Sequence, residues 1–173
     1  TALREIMKEN EFSVSDVEDV LVRTYPYSYQ LNSGVSLPLN VSSARLSLPY
    51  TISVCLRTGA LAPDAFSSSS LQNEEEYLPI MEKVHVENNE AYGDSSFSIR
   101  GSIVKVTLKD GRVLEKEAIG SAWSNGVSDE MLCEKFESLA KDSYDSDKIA
   151  DIEKNAMAFN GNLTYFINAL KSI

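Results

Sequence analysis

Histidine is nearly missing from this sequence, with a single residue, His85, in 173. Cysteine is almost as scarce: Cys55 and Cys133 stand too far apart for any C-x-x-C redox or zinc spacing. With so few soft ligands a zinc-type site has no supply, and the acidic runs at 74–76 and 142–151 lack the spacing of a calcium loop. Both cysteines fall in apolar helical patterns, so reduced, buried thiols are expected. Positive charge is also short, with 16 Lys and Arg against 26 Asp and Glu and a net charge of −10. No Lys/Arg cluster offsets that balance, which excludes a nucleic-acid partner on electrostatic grounds. No apolar run approaches the roughly 18–20 residues that span a bilayer, and no signal peptide opens the chain, so a cytoplasmic protein with no membrane partner is expected. Glycine-rich phosphate loops and the G-x-S-x-G nucleophile turn are missing as well.

What is present is an ordinary globular mixture, 43% apolar and 24% charged, enough for one packed domain and a second small unit. Leu3, Ile6 and Met7 recur at helical spacing, and the sequence opens at Thr1 inside that pattern without a Met, so a piece of a longer protein is expected. Val20, Val22 and Thr24 alternate with Asp19, Leu21 and Arg23 as in a strand. Residues 25–40, rich in Tyr, Pro, Ser and Gly, read as a loop. Ser42 or Ser43 can cap a helix whose stripe is Leu48, Ile52, Cys55 and Leu56 and which Gly59 ends. Pro49 requires that helix to begin near Ser47 or to kink there. Residues 60–72 read as a surface loop, Asn73 with Glu76 as a capping pair, and Pro79 as the limit of a two-turn helix. A strand follows at 83–87, then a long strand at 97–108, and Asp110-Gly111 marks a two-residue hairpin turn returning through 113–119. From Ser128 the period shifts to 3.6: Leu132, Phe136, Leu139 and Ala140 share one face, Ile149, Ile152, Ala156 and Phe159 a second, and Leu163, Phe166, Ile167 and Leu170 a third. The expected class is α+β: a small antiparallel sheet with a DG hairpin packed by helices, followed by C-terminal helices.

Three segments, in this order, resemble the MmgE/PrpD family, the family of 2-methylcitrate dehydratase. Ser43-Ala44-Arg45-Leu46-Ser47-Leu48-Pro49-Tyr50, with the helix ending at Gly59, is similar to the family's A-(K/R)-x-S-(L/F)-x-Y segment. Val106 to Arg112 is similar to its V-x-L-x-D-G-R hairpin, and 126–136 to its P-L-S-x-E-x-L-x-x-K-F helix. Ser15 to Val20 resembles the entry to its small domain. The match runs over residues 1–142, and co-occurrence in order carries it, because each motif alone is common.

The resemblance implies a two-domain enzyme in which a larger helical domain holds most of the catalytic His, Asp and Lys groups and a small α+β lid closes over the cleft. Residues 1–127 would be that lid, with 1–10 the tail of a helix from the missing helical domain, and 128–173 the C-terminal helices. The implied activity is a lyase acting on a di- or tricarboxylic acid such as 2-methylcitrate, by proton abstraction next to a carboxylate and elimination. It uses no iron–sulfur cluster and no other cofactor. The implied partners are the small carboxylate substrate, the helical domain and a second copy in a homo-oligomer; the isolated chain is expected to be inactive. The alternative is a stand-alone, non-catalytic α+β interaction or assembly module.

Arg45 is the foremost candidate for substrate binding. A guanidinium can clamp a carboxylate bidentately, and it equally suits a surface ion pair with a nearby acid. Ser47 can donate to a substrate oxygen or cap the helix starting at Leu48, and capping is the preferred reading. Tyr50 can face the cleft or pack with its hydroxyl at the rim, and packing is preferred. His85 is expected to face solvent, with no evident partner for base chemistry. Trp123, in a Ser/Gly-rich turn, suits an interface anchor or a satellite core. Two departures from the family pattern stand out. Leu46 occupies a position where the decarboxylase branch tends to have histidine, and Gly101 one where it tends to have tyrosine; neither residue here can transfer a proton.

Overall fold

The alternating and helical periods just described are realised in a computed structural model that describes residues 1–34, 37–61, 63–67, 71, 74–92, 100–120, 128–157 and 167. All of the expected third C-terminal helix except Ile167, together with Asn73, Trp123 and the first part of the expected strand at 97–108, lies outside these residues. The chain divides into two compact units, Thr1–Asn125 and Gly126–Ile173.

In the first unit, helix α1 (Ala2–Glu9) precedes strand β1 (Val17–Thr24), and α2 (Pro26–Asn32), α3 (Val41–Leu46), α4 (Leu48–Thr58) and α5 (Glu74–Met81) come before β2 (Val84–Asn88). Strands β3 (Gly101–Leu108) and β4 (Val113–Ile119) complete a four-stranded sheet of order β2-β1-β3-β4. The second unit holds α6 (Asp129–Ala140) and α7 (Ser146–Met157). The class is α+β. The sheet is mixed rather than wholly antiparallel: β1 pairs parallel with β2 and antiparallel with β3, and β3 pairs antiparallel with β4. Parallel neighbours need a long crossover, and the four helices between β1 and β2 supply it.

One face of the sheet is buried. Val20 and Val22 of β1, Val84 of β2, and Val104, Val106 and Leu108 of β3 form one core with Ala2, Leu3 and Ile6 of α1 and Ile52, Cys55 and Leu56 of α4. Lys116, on the same face at the β4 edge, reaches α1, donating to Glu9 at 2.6 Å with Glu5 at 3.8 Å. The other face carries Asp19, Arg23, His85, Glu87, Lys105, Glu115 and Glu117, as period-two alternation requires. A second cluster lies among the helices: Ala44, Tyr50, Val54, Phe66, Tyr77 and Met81.

Three local readings are corrected. Part of the Tyr/Pro-rich stretch is helix α2, started by Pro26 at a first-turn position where its missing N–H costs nothing. The stretch 60–72 contains a short 3-10 turn at Pro63–Phe66. The hairpin loop has three residues, 109–111. Gly111 donates to Leu108 O at 2.9 Å and Leu108 N to Arg112 O at 2.9 Å, with Gly111 at φ 87° in the left-handed position that closes such loops. The expected helix at the start of the second unit is α6, in which Leu132 and Leu139 are exposed and only Ala140 is buried.

Candidate functional site

Two helix starts in succession build the corner that contains the three candidate residues. Asn40 caps α3, its side-chain Oδ1 accepting from Ser43 N at 3.0 Å while its backbone N–H donates to Ser43 Oγ at 3.1 Å. After α3 the chain turns at Ser47, whose hydroxyl accepts from Tyr50 N at 3.2 Å and caps α4. Pro49 sits in the first turn of α4, so the proline that required a break in a single long helix marks the start of the second one. Gly59, at φ 74°, ends α4 and donates to Cys55 O at 2.8 Å.

The corner sorts the candidates by depth. Arg45 is exposed on α3 and makes no ion pair among the described residues. It is the only charged residue between Arg23 and Arg57. Exposed Leu46 follows it directly, and exposed Leu39 lies just before α3. Ser47 is 8% exposed and Tyr50 1%. The Tyr50 hydroxyl donates to Ala65 O at 2.9 Å, and its ring packs at 5.2 Å from Tyr77 and 6.0 Å, edge-on, from Phe66. Burial, and secondarily Tyr77, push the Tyr50 phenol above its ordinary range, so it is a fixed donor. The base of α4 is pinned to α5 by Arg57, which pairs with Glu76 at 2.8 Å and lies 5.5 Å from the Tyr77 ring.

Chemically, the corner offers a guanidinium with no ion-pair partner among the described residues, exposed leucines at positions 39 and 46, and the capping hydroxyl of Ser47. That arrangement can hold a carboxylate; it contains no general base. His85 is not part of it. This residue stands on the open face of the sheet, its side chain 62% exposed, with Nε2 2.9 Å from Asp19 Oδ1. Helix α4 packs on the opposite face. Sequence reasoning placed His85 toward solvent but missed Asp19, because the parallel pairing that brings β2 beside β1 leaves no local signal. It also missed a contact at the far end of the sheet. There Tyr92 lies against Gly101 and donates to Glu117, and burial and that carboxylate push its phenol up to about 12.

Cys55 is buried and Cys133 half-buried, and both are free thiols. Burial raises both thiols above their usual range, and for Cys133 the acids Glu153, Asp129 and Glu137 add to it, so neither is set up as a nucleophile. Among the described residues no three His, Cys, Asp or Glu side chains gather as a metal site, and no helix is long and apolar enough to cross a membrane.

Comparison with known protein families identifies the chain's relatives. The family described as MmgE/PrpD C-terminal domain covers residues 1–158. No curated protein matches the chain.

Proposed function

Because the chain belongs to the MmgE/PrpD family as its C-terminal domain, we propose that it serves as the lid part of a lyase acting on a di- or tricarboxylic acid such as 2-methylcitrate. The reaction is proton abstraction next to a carboxylate, followed by elimination. The observation that carries this reading is Arg45: an exposed guanidinium without a carboxylate partner among the described residues, alone in a stretch otherwise free of charge. In an acidic molecule, a cation kept clear of nearby acids is well suited to receive an anion from outside.

In this reading Arg45 clamps one substrate carboxylate and Ser47, while capping α4, presents its hydroxyl toward the same group. Tyr50 contributes from beneath by fixing the corner. The groups that move protons belong to a helical domain outside this chain, so the chain alone is inactive. The assembled enzyme is a cytoplasmic homo-oligomer. The test is steady-state kinetics of the complete enzyme with a tricarboxylate such as 2-methylcitrate. Arg45→Ala should raise KM by about tenfold to a hundredfold, the worth of one charge-assisted hydrogen-bonded pair, and Arg45→Lys should recover only part of it. An unchanged KM in Arg45→Ala removes the corner from the substrate site.

A further inference from the structure

Strands β2 and β4 are opposite edges of the sheet, yet one side chain joins their ends. After β2 the chain makes a short 3-10 turn, Glu90–Tyr92. Asn89 N donates to Thr24 O at the end of β1 at 2.7 Å, Ala91 N to Asn89 Oδ1 at 3.1 Å, and Tyr92 N to Asn89 O at 3.2 Å. The turn is thus bound to the end of β1, and from there Tyr92 reaches past it to β3 and β4. Its ring rests on Gly101, and its hydroxyl donates to Glu117. The ring is held closely enough that a Cβ at position 101 would stand 2.6, 2.8 and 2.9 Å from three of its carbons. Only 6% of Tyr92 remains exposed, on the sheet face that also carries Arg23, Glu87, Lys105 and Glu117.

We propose that Tyr92 is a clasp that locks edge strand β2 to the β3–β4 hairpin, and that position 101 is glycine to admit its ring. The device matters beyond the sheet because α4 shares the core with β2 through Ile52, Cys55, Leu56 and Val84. Holding β2 in place thereby holds the support for the sheet-facing side of α4. This inference stands on packing alone and does not depend on what the corner binds.

A double-mutant cycle on the whole chain tests it, with Gly101→Ala, Tyr92→Ala and the pair. In the presence of the tyrosine, an added methyl must overpack the site, so Gly101→Ala should raise the unfolding equilibrium constant about tenfold or more. In the Tyr92→Ala background the same methyl enters vacated space, and the change should stay within about twofold. Additive effects would overturn the proposal. A second measurement serves even if Gly101→Ala does not fold. The Gly101 Hα resonances of the unmodified protein and of Tyr92→Phe should be shifted upfield by the ring, and in Tyr92→Leu the shift should vanish. In Tyr92→Leu, amide exchange should also quicken in β2 while the β3–β4 ladder stays protected. Unshifted Hα signals in the unmodified protein, or uniform quickening across the sheet, would show that no clasp operates.

Discussion

Arg45 and Tyr50 are five residues apart in the chain and opposite in physical character. The guanidinium is exposed and unpaired among the described residues, whereas the phenol is buried with its hydroxyl committed to Ala65 O at 2.9 Å. Stability measurements should separate them. Tyr50→Phe leaves the partly buried Ala65 carbonyl without its donor and should cost about 1 kcal/mol, while Tyr50→Ala opens a cavity and should cost about 3–5 kcal/mol. Arg45→Ala should stay within about 0.5 kcal/mol of the parent. Urea midpoints of the three variants check this, and equal losses at both positions would contradict the depth ordering. At this scale the sequence went far: it marked Ser47 as the cap of the helix that Pro49 opens, and Tyr50 as a packed ring. The Tyr50 acceptor was not legible, because Ala65 belongs to a turn whose only local cue, Pro63, says nothing about which carbonyl it presents.

Elements show a similar split, most clearly at the hairpin. Asp110-Gly111 announces a reversal, but the three-residue loop follows from the hydrogen bond between Leu108 and Arg112, which depends on strand register. This end of the sheet is also where acid should act. The hydroxyl and amide of Ser13 hold the Asp16 carboxyl below its ordinary value of 3.8. The amide and guanidinium of Arg112 do the same for Asp110, from the same ordinary value of 3.8. A carboxyl whose native pKa lies below the unfolded one stabilises the fold above the unfolded pKa, and that contribution is lost as pH falls through the native value. Denaturant midpoints should therefore decline as pH falls below 3.8, and the Asp16→Asn/Asp110→Asn double variant should decline less steeply. An identical acid limb would place the acid sensitivity elsewhere. Lys116 works in the opposite sense: Glu9 and Glu5 raise its pKa above 10.5, so its contribution is present below that value and fades as pH rises through the native one.

For the whole molecule, the second unit supplies the clearest expectation. Met131, Leu132 and Leu139 of α6 and Met157 of α7 are exposed, so the apolar period read from the sequence is real but only partly buried. Exposed apolar side chains on neighbouring turns favour association. Sedimentation should show concentration-dependent growth beyond the monomer, reduced in a Leu132→Glu/Leu139→Glu variant; a monomer at every concentration would end the homo-oligomer reading.

Local order was the sequence's own work. Period-two alternation marked β1 and the hairpin strands, proline, serine and glycine marked the ends of α4, and the co-occurring motifs marked the family. These signals act through neighbours a few residues away, where backbone sterics and capping decide the outcome. Tertiary structure alone decided that β2 lies parallel beside β1, that Asp19 meets His85, and that Tyr92 crosses the end of β1 to reach Gly101 and Glu117. Most of those contacts join residues far apart along the chain, and their meeting depends on the sheet order and on the long helical crossover, which no local pattern encodes.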